Sequence, residues 1–167
     1  MATTESFVVV SDAGPLIHLD ELGCVDLLHG LGKLVIPRTV WTEVTRHRSR
    51  LAPRDLSNTE IVDVVASPSA RLASLGDSLD LDAGERAAIT LLESVSARLF
   101  LCDDAAARLA AESLGFAVRG TIGILVRSIR IGLRTRQEVV NLLRQLPEKS
   151  SLHLSRQLLE RVLAEIE

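Results

Sequence analysis

The sequence predicts an α/β fold of three layers, α/β/α, with a central parallel sheet and extra helices at the C-terminal end. Three observations predict it. Short β-branched runs alternate with helix-period segments through residue 131, as successive β-α-β units do. Those runs do not switch between apolar and polar residues, which is how strands buried on both faces read. The chain is 47% hydrophobic but only 2% aromatic, so its core is Leu, Val, Ile and Ala, a mix that suits helix-on-sheet packing better than a sandwich with aromatic pairs.

Phe7 to Ser11 reads as a buried strand that ends in Asp12, with Gly14 and Pro15 breaking the chain behind it. A helix is expected from Leu19 to Leu31, ended by Gly30 and Gly32, then a strand from Lys33 to Ile36. Pro37 suits the first turn of a helix running to about His47. Residues 48 to 59 are polar, contain Pro53 and read as a loop. Ile61 to Val65 is the next strand, and 67 to 81 looks irregular, with room for a short helical turn. From Leu81 or Asp82 to about Ser96 the spacing of Ala88, Leu91, Leu92 and Val95 predicts a helix. Arg98 to Cys102 is a strand, Asp104 to Leu114 a helix closed by Gly115, Phe116 to Val118 a brief strand, and Thr121 to Ile131 a helix. Thr135 and Glu138 form a capping box for a helix to about Leu146, and Leu158, Leu159, Val162, Leu163 and Ile166 mark a last one. The 167 residues thus form one domain, an α/β unit over 1–131 with a helical extension over 132–167.

Composition narrows the function classes. No apolar run approaches the ~20 residues of a membrane span, and MATTESF lacks the basic start and long apolar stretch of a secretory signal. Cys24 and Cys102 are too isolated for a disulfide framework or a zinc site, so a cytoplasmic protein is expected. The net charge of −3 does not recruit nucleic acid in bulk, and any such binding needs a local basic patch. A mean hydropathy of +0.25 hints at a buried partner surface.

The acids carry the chemistry. In an open parallel sheet, sites form outside the carboxyl ends of the strands. Asp12 follows the first strand, and Asp103 and Asp104 follow ARLFLC. Glu85 sits three residues before Ala88 and seven before Leu92, in line with the apolar stripe of its helix. Glu43 lies on the helix that begins after the second strand. Clustered carboxylates persist when divalent cations neutralise them, and an all-oxygen set suits Mg²⁺ or Mn²⁺. Each residue also has a plainer reading. Asp12 before Gly-Pro is a turn former, one of Asp103 and Asp104 caps the next helix, Glu85 complements a helix N-terminus, and Glu43 is a solvated helix residue.

Four stretches in order resemble one family: VVVSDAGPLIHL at 8–19, VIPRTVWTEV at 35–44, LDAGERAAITLL at 81–92, and LCDDAAARLAAESLGFAVRGTIGIL at 101–125. They resemble the PIN domain family, metal-dependent nucleases that include Vap-type toxins of bacterial toxin–antitoxin pairs. The resemblance implies a PIN-like fold and Mg²⁺- or Mn²⁺-dependent RNA endonuclease activity. By position it assigns catalytic roles to Asp12, Glu43, Glu85 and a fourth acid that falls on Asp103 or Asp104, with Asp103 preferred on the count back from Arg108. Metal would be held by Asp12, Glu85 and Asp103, with Glu43 holding metal or orienting the attacking water, and Ser11 beside Asp12 as a hydroxyl contact. A further acid that many members carry falls on Ala105 to Ala107, so that ligand is missing unless Asp104 replaces it. The same resemblance implies a homodimer and a small antitoxin partner.

Basic residues gather at Arg46, His47, Arg48 and Arg50, and at Arg127, Arg130, Arg134 and Arg136. These clusters, with Arg108 and Thr121 of the fourth stretch, are the candidates for RNA contact; a solvated surface is the alternative for each cluster. His18, His29, His47 and His153 show no metal spacing and read as structural or exposed, and Trp41 reads as packing under the Glu43 helix. A phosphoacceptor receiver domain needs a lysine at the sheet's carboxyl edge, and neither Lys33 nor Lys149 follows a late strand. A haloacid-type phosphatase wants a second acid at Gly14. A non-catalytic PIN-like binding module is the remaining rival.

Overall fold

A computed structural model describes residues 7–167. Strands β1 (Val8–Ser11), β2 (Lys33–Pro37), β3 (Thr59–Val62), β4 (Leu99–Leu101) and β5 (Ala117–Arg119) form one sheet in the order β3-β2-β1-β4-β5, with every pairing parallel. β1 lies in the middle, where Val9 pairs with Leu34 on one side and Leu99 on the other. Val9, Val10, Phe100 and Leu101 are fully buried. With both faces covered, neither strand has a solvent side for a polar residue to occupy.

The helices are α1 (Ala13–Glu21), α2 (Arg38–His47), α3 (Ala70–Ser78), α4 (Ala83–Ser94), α5 (Ala105–Ser113), α6 (Thr121–Arg130), α7 (Arg136–Lys149) and α8 (Arg156–Ile166). On one side α1 packs against α6, which carries α7, and α7 carries α8; α3, α4 and α5 pack on one another. The result is the three-layer α/β/α architecture with C-terminal helices that the sequence predicts. Val139, Val140, Leu143 and Leu146 of α7 are buried in the same core as the strands. Trp41 packs against that core from α2, as its position suggests.

Three stretches fold differently from expectation. Gly14 and Pro15 do not break the chain: α1 starts at Ala13, directly behind Asp12, and ends at Glu21 in place of a helix over 19–31. Pro15 is the third residue of α1, where a backbone N–H has no intrahelical acceptor to lose. The rest of that segment is a left-handed turn at Gly23 and a 3₁₀ turn over Val25–Leu28. Within 67–81, Ser69 starts α3 by accepting the Leu72 N–H at 3.1 Å, a cap that outweighs the polar look of the segment. β3 begins at Thr59 rather than Ile61 and stops at Val62, because its extent follows its partner, Leu34 to Pro37, and not its own apolar run.

Candidate functional site

All strands of a parallel sheet end on one edge, so the residues that follow them share a neighbourhood. β1 delivers Asp12 there, β4 delivers Asp103 and Asp104, α2 presents Glu43, and the start of α4 presents Asp82 and Glu85. These six carboxylates line one open cleft of about 410 Å³, together with His18 of α1 and Ser151 to His153 between α7 and α8.

Asp12 is the most enclosed of the six, only 7% exposed. Its N–H donates to the Leu101 carbonyl at 2.9 Å, extending the β1–β4 ladder by one residue. Burial is the main force on its carboxyl; the Ala13 N–H offsets part of it, while Glu85, Glu43 and Asp82 add to it. The outcome is a group pushed up from 3.8 to about 7. Burial, with the negative charge of Asp82, Asp104 and Glu43, likewise raises Glu85, against a backbone hydrogen bond from Asp82 that lowers it.

Asp103 is held from two sides. Thr121 donates its N–H to Oδ1 at 2.7 Å and its hydroxyl to Oδ2 at 2.6 Å, and His18 Nδ1 lies 2.8 Å from Oδ2. Gly120 makes this possible, since a Cβ there would sit 2.6 Å from Asp103 Oδ1 and 2.9 Å from an Arg108 nitrogen. Asp104 caps α5, accepting the Ala107 N–H at 2.9 Å. Asp82 and Glu85 form a capping box: Asp82 accepts the Glu85 N–H at 2.8 Å, and Glu85 accepts the Asp82 N–H at 2.9 Å. The Glu43 side chain makes no hydrogen bond or ion pair among the described residues, and its Oε2 lies near Gly84 in the first turn of α4.

No Lys or Arg of the described residues forms an ion pair with any of the six carboxylates; His18 with Asp103 is the sole pairing. The donor chemistry therefore fits a hard divalent cation, all oxygen and anionic without a protein counter-charge. As the side chains stand, no three His, Cys, Asp or Glu among the described residues are grouped to hold an ion. Glu43, unbonded, is the one with nothing to give up in moving inward.

The remaining sequence candidates divide. Thr121 is at the cleft through Asp103. Arg108 borders it and donates to the Cys102 carbonyl at 3.1 Å. Ser11 is fully buried with its hydroxyl on the Asp12 carbonyl at 2.8 Å, so it does not face the cleft. Arg127 reaches the Gly30 carbonyl at 3.4 Å, before the start of β2 and thus toward the opposite edge of the sheet, and Arg130 lies farther along the same helix. Arg134 is committed to Asp26 at 2.7 and 2.9 Å, Arg48 to Asp20 at 2.5 Å, and Arg136 to the Ile166 carbonyl.

Three contributors escaped the sequence reading. Asp82 was legible as the first member of an Asp-x-x-Glu capping box. His18 stands one helical turn after Gly14, a relation visible only once α1 is known to start at Ala13. Glu21 accepts both Ser150 and Ser151 hydroxyls and the Ser151 N–H, at 2.8–2.9 Å, and so pins the 150s loop beside the cleft. Burial opposes its charge, but those bonds outweigh it and hold its carboxyl below the usual range.

Among models of protein families, one described as a PIN domain matches residues 8–167. No curated protein matches the chain. The matched stretch includes the last two helices.

Proposed function

Because the chain belongs to the PIN domain family, whose fold is nuclease-like, we propose that it is a Mg²⁺- or Mn²⁺-dependent endoribonuclease acting at the acidic cleft. One observation carries this reading: six carboxylates share a cleft without a paired Lys or Arg among the described residues, and burial pushes the most enclosed of them, Asp12, up to about 7. Asp12, Glu85 and Asp103 would hold the metal, with Asp104 at its edge. Bound there, a divalent ion supplies an activated water and neutralises charge building on a phosphodiester. Glu43, with both oxygens unbonded, accepts a proton from the attacking water and orients it. Thr121 and His18 keep the Asp103 carboxylate turned toward the cleft. By the same family logic the chain is a homodimeric toxin paired with a small antitoxin protein, working on RNA in the cytoplasm.

A second reading has its own observation. Asp82, Glu85 and Asp104 already serve as helix caps and Asp103 is already hydrogen-bonded, which suits a PIN-like module that binds protein or RNA without cutting. Thermal denaturation with and without Mn²⁺, in wild type and Asp12→Asn, decides between them, because a ligand bound only to the native state raises apparent stability. Stabilisation and RNA cleavage in wild type alone support the nuclease. An equal shift in both proteins, or none in either, supports the binding module.

A further inference from the structure

A second cavity, of about 460 Å³, adjoins the acidic cleft; Asp103, Leu152 and His153 line both. Arg108 of α5 and Arg119 at the end of β5 enter it. Some arginines are committed to acids, as with Arg38 and Asp63, Arg86 and Asp77, or Arg134 and Asp26. Arg108 and Arg119 have no carboxylate partner among the described residues. The Arg119 guanidinium forms no hydrogen bond among the described residues either, although its stem packs against Gly123. The facing wall is aliphatic, built by Leu154 together with Leu158 and Val162, one turn apart on α8. Leu158 is 44% exposed, a large apolar side chain turned to the cavity rather than to the core.

Two planar guanidinium groups facing an apolar wall match the two halves of a nucleotide. The forks suit phosphate oxygens, and the leucines suit the face of a base. The volume is within the range of small-ligand pockets. We propose that this cavity is a single-nucleotide subsite for the RNA strand next to the scissile bond, with phosphate on Arg108 and Arg119 and the base against Leu154, Leu158 and Val162. This rests on the ribonuclease reading and gives α8 a task, as the wall that receives substrate. No Phe, Tyr or Trp lines the cavity and His153 is its one ring, so the contact along the α8 wall is apolar. The subsite accepts any base, but only one freed from a duplex.

The test is fluorescence anisotropy of a short fluorescein-labelled oligouridine with the full chain in EDTA, over a range of salt. Arg119→Gln weakens binding about tenfold and lowers the slope of log affinity against log salt by ~0.7, the value for one single-strand phosphate contact. Leu158→Ala, at an exposed position, weakens binding a few-fold and leaves that slope unchanged. Wild-type binding in either variant overturns the proposal. So does an acidic, leucine-rich peptide that binds in an Arg119-dependent way where the RNA does not. Binding is read without metal, so the two readings fail separately. Arg119-dependent RNA binding with no Mn²⁺ stabilisation and no cleavage removes the nuclease, and cleavage indifferent to both variants removes the subsite.

Discussion

Thr121 donates two hydrogen bonds to Asp103, from its N–H at 2.7 Å and its hydroxyl at 2.6 Å, across 18 residues of chain. One residue thus opens α6 and orients the carboxylate that follows β4. Thr121 is fully buried, so replacing it with Val keeps the volume and removes one charge-assisted bond. The expected cost is about 1.5–3 kcal/mol, read as a fall in Tm of several degrees. The double variant with Asp103→Asn should cost less than the two single changes added, because both remove the same contact.

Gly120→Ala tests the close approach that precedes this pair. The new methyl would sit 2.6 Å from Asp103 Oδ1, and the neighbours on its other side are the Arg108 guanidinium and the Cys102 carbonyl. Overpacking of this kind costs about 1–3 kcal/mol. Thermal denaturation should show that loss, and a Mn²⁺ titration should show weaker stabilisation by metal, since Asp103 is the group that must turn away.

The Asp12 carboxyl predicts a pH dependence of the metal-free protein. Its folded value of about 7 lies above the ordinary 3.8. The proton is therefore bound more tightly in the folded state, and the stability it contributes is complete below pH 3.8 and lost as pH rises toward 7. In EDTA, Tm should fall across that window by more in wild type than in Asp12→Asn, and Mn²⁺ at pH 7.5 should restore it in wild type alone. Parallel pH profiles for the two proteins would contradict the shift.

Glu85 has two jobs that substitution can separate. Glu85→Gln keeps an oxygen to accept the Asp82 N–H, so the capping box survives while the charge is lost. It should abolish RNA cleavage with Tm unchanged or raised, since one like charge has left the cluster. Glu85→Ala removes the cap as well and should cost about 1 kcal/mol, or roughly 2–4 °C. If Gln destabilises as much as Ala, the charge is structural and the cleft is not built for metal.

How much of this could be read from the chain depends on the range of the forces involved. Strands β1 and β4 were legible because burial on both faces keeps the run apolar almost to its end, α4 because its apolar spacing is local, and α7 because its capping box is. The placement of Asp12, Asp103 and Asp104 at a common edge follows from two local facts, that each ends a strand and that the strands are parallel. The start of α1 was misread because Gly14-Pro15 is compatible with either a break or a first helical turn, and packing of Pro15, Leu16 and Leu19 into the core decides between them. Arg134 and Arg48 looked like nucleic-acid contacts since nothing nearby in sequence pairs with them; their acids, Asp26 and Asp20, are 108 and 28 residues away.

The sequence by itself determined the layers, the parallel sheet and the set of acids available at its carboxyl edge, because hydrophobic period and helix capping act over a few residues. Only the tertiary structure decided which oxygen each acid still has free, that His18 and Thr121 hold Asp103, and that Arg108 and Arg119 share a cavity with Leu158 and Val162 of α8 beside the cleft. Those outcomes rest on contacts between distant segments, whose distances are set when the core packs and leave no trace in local spacing.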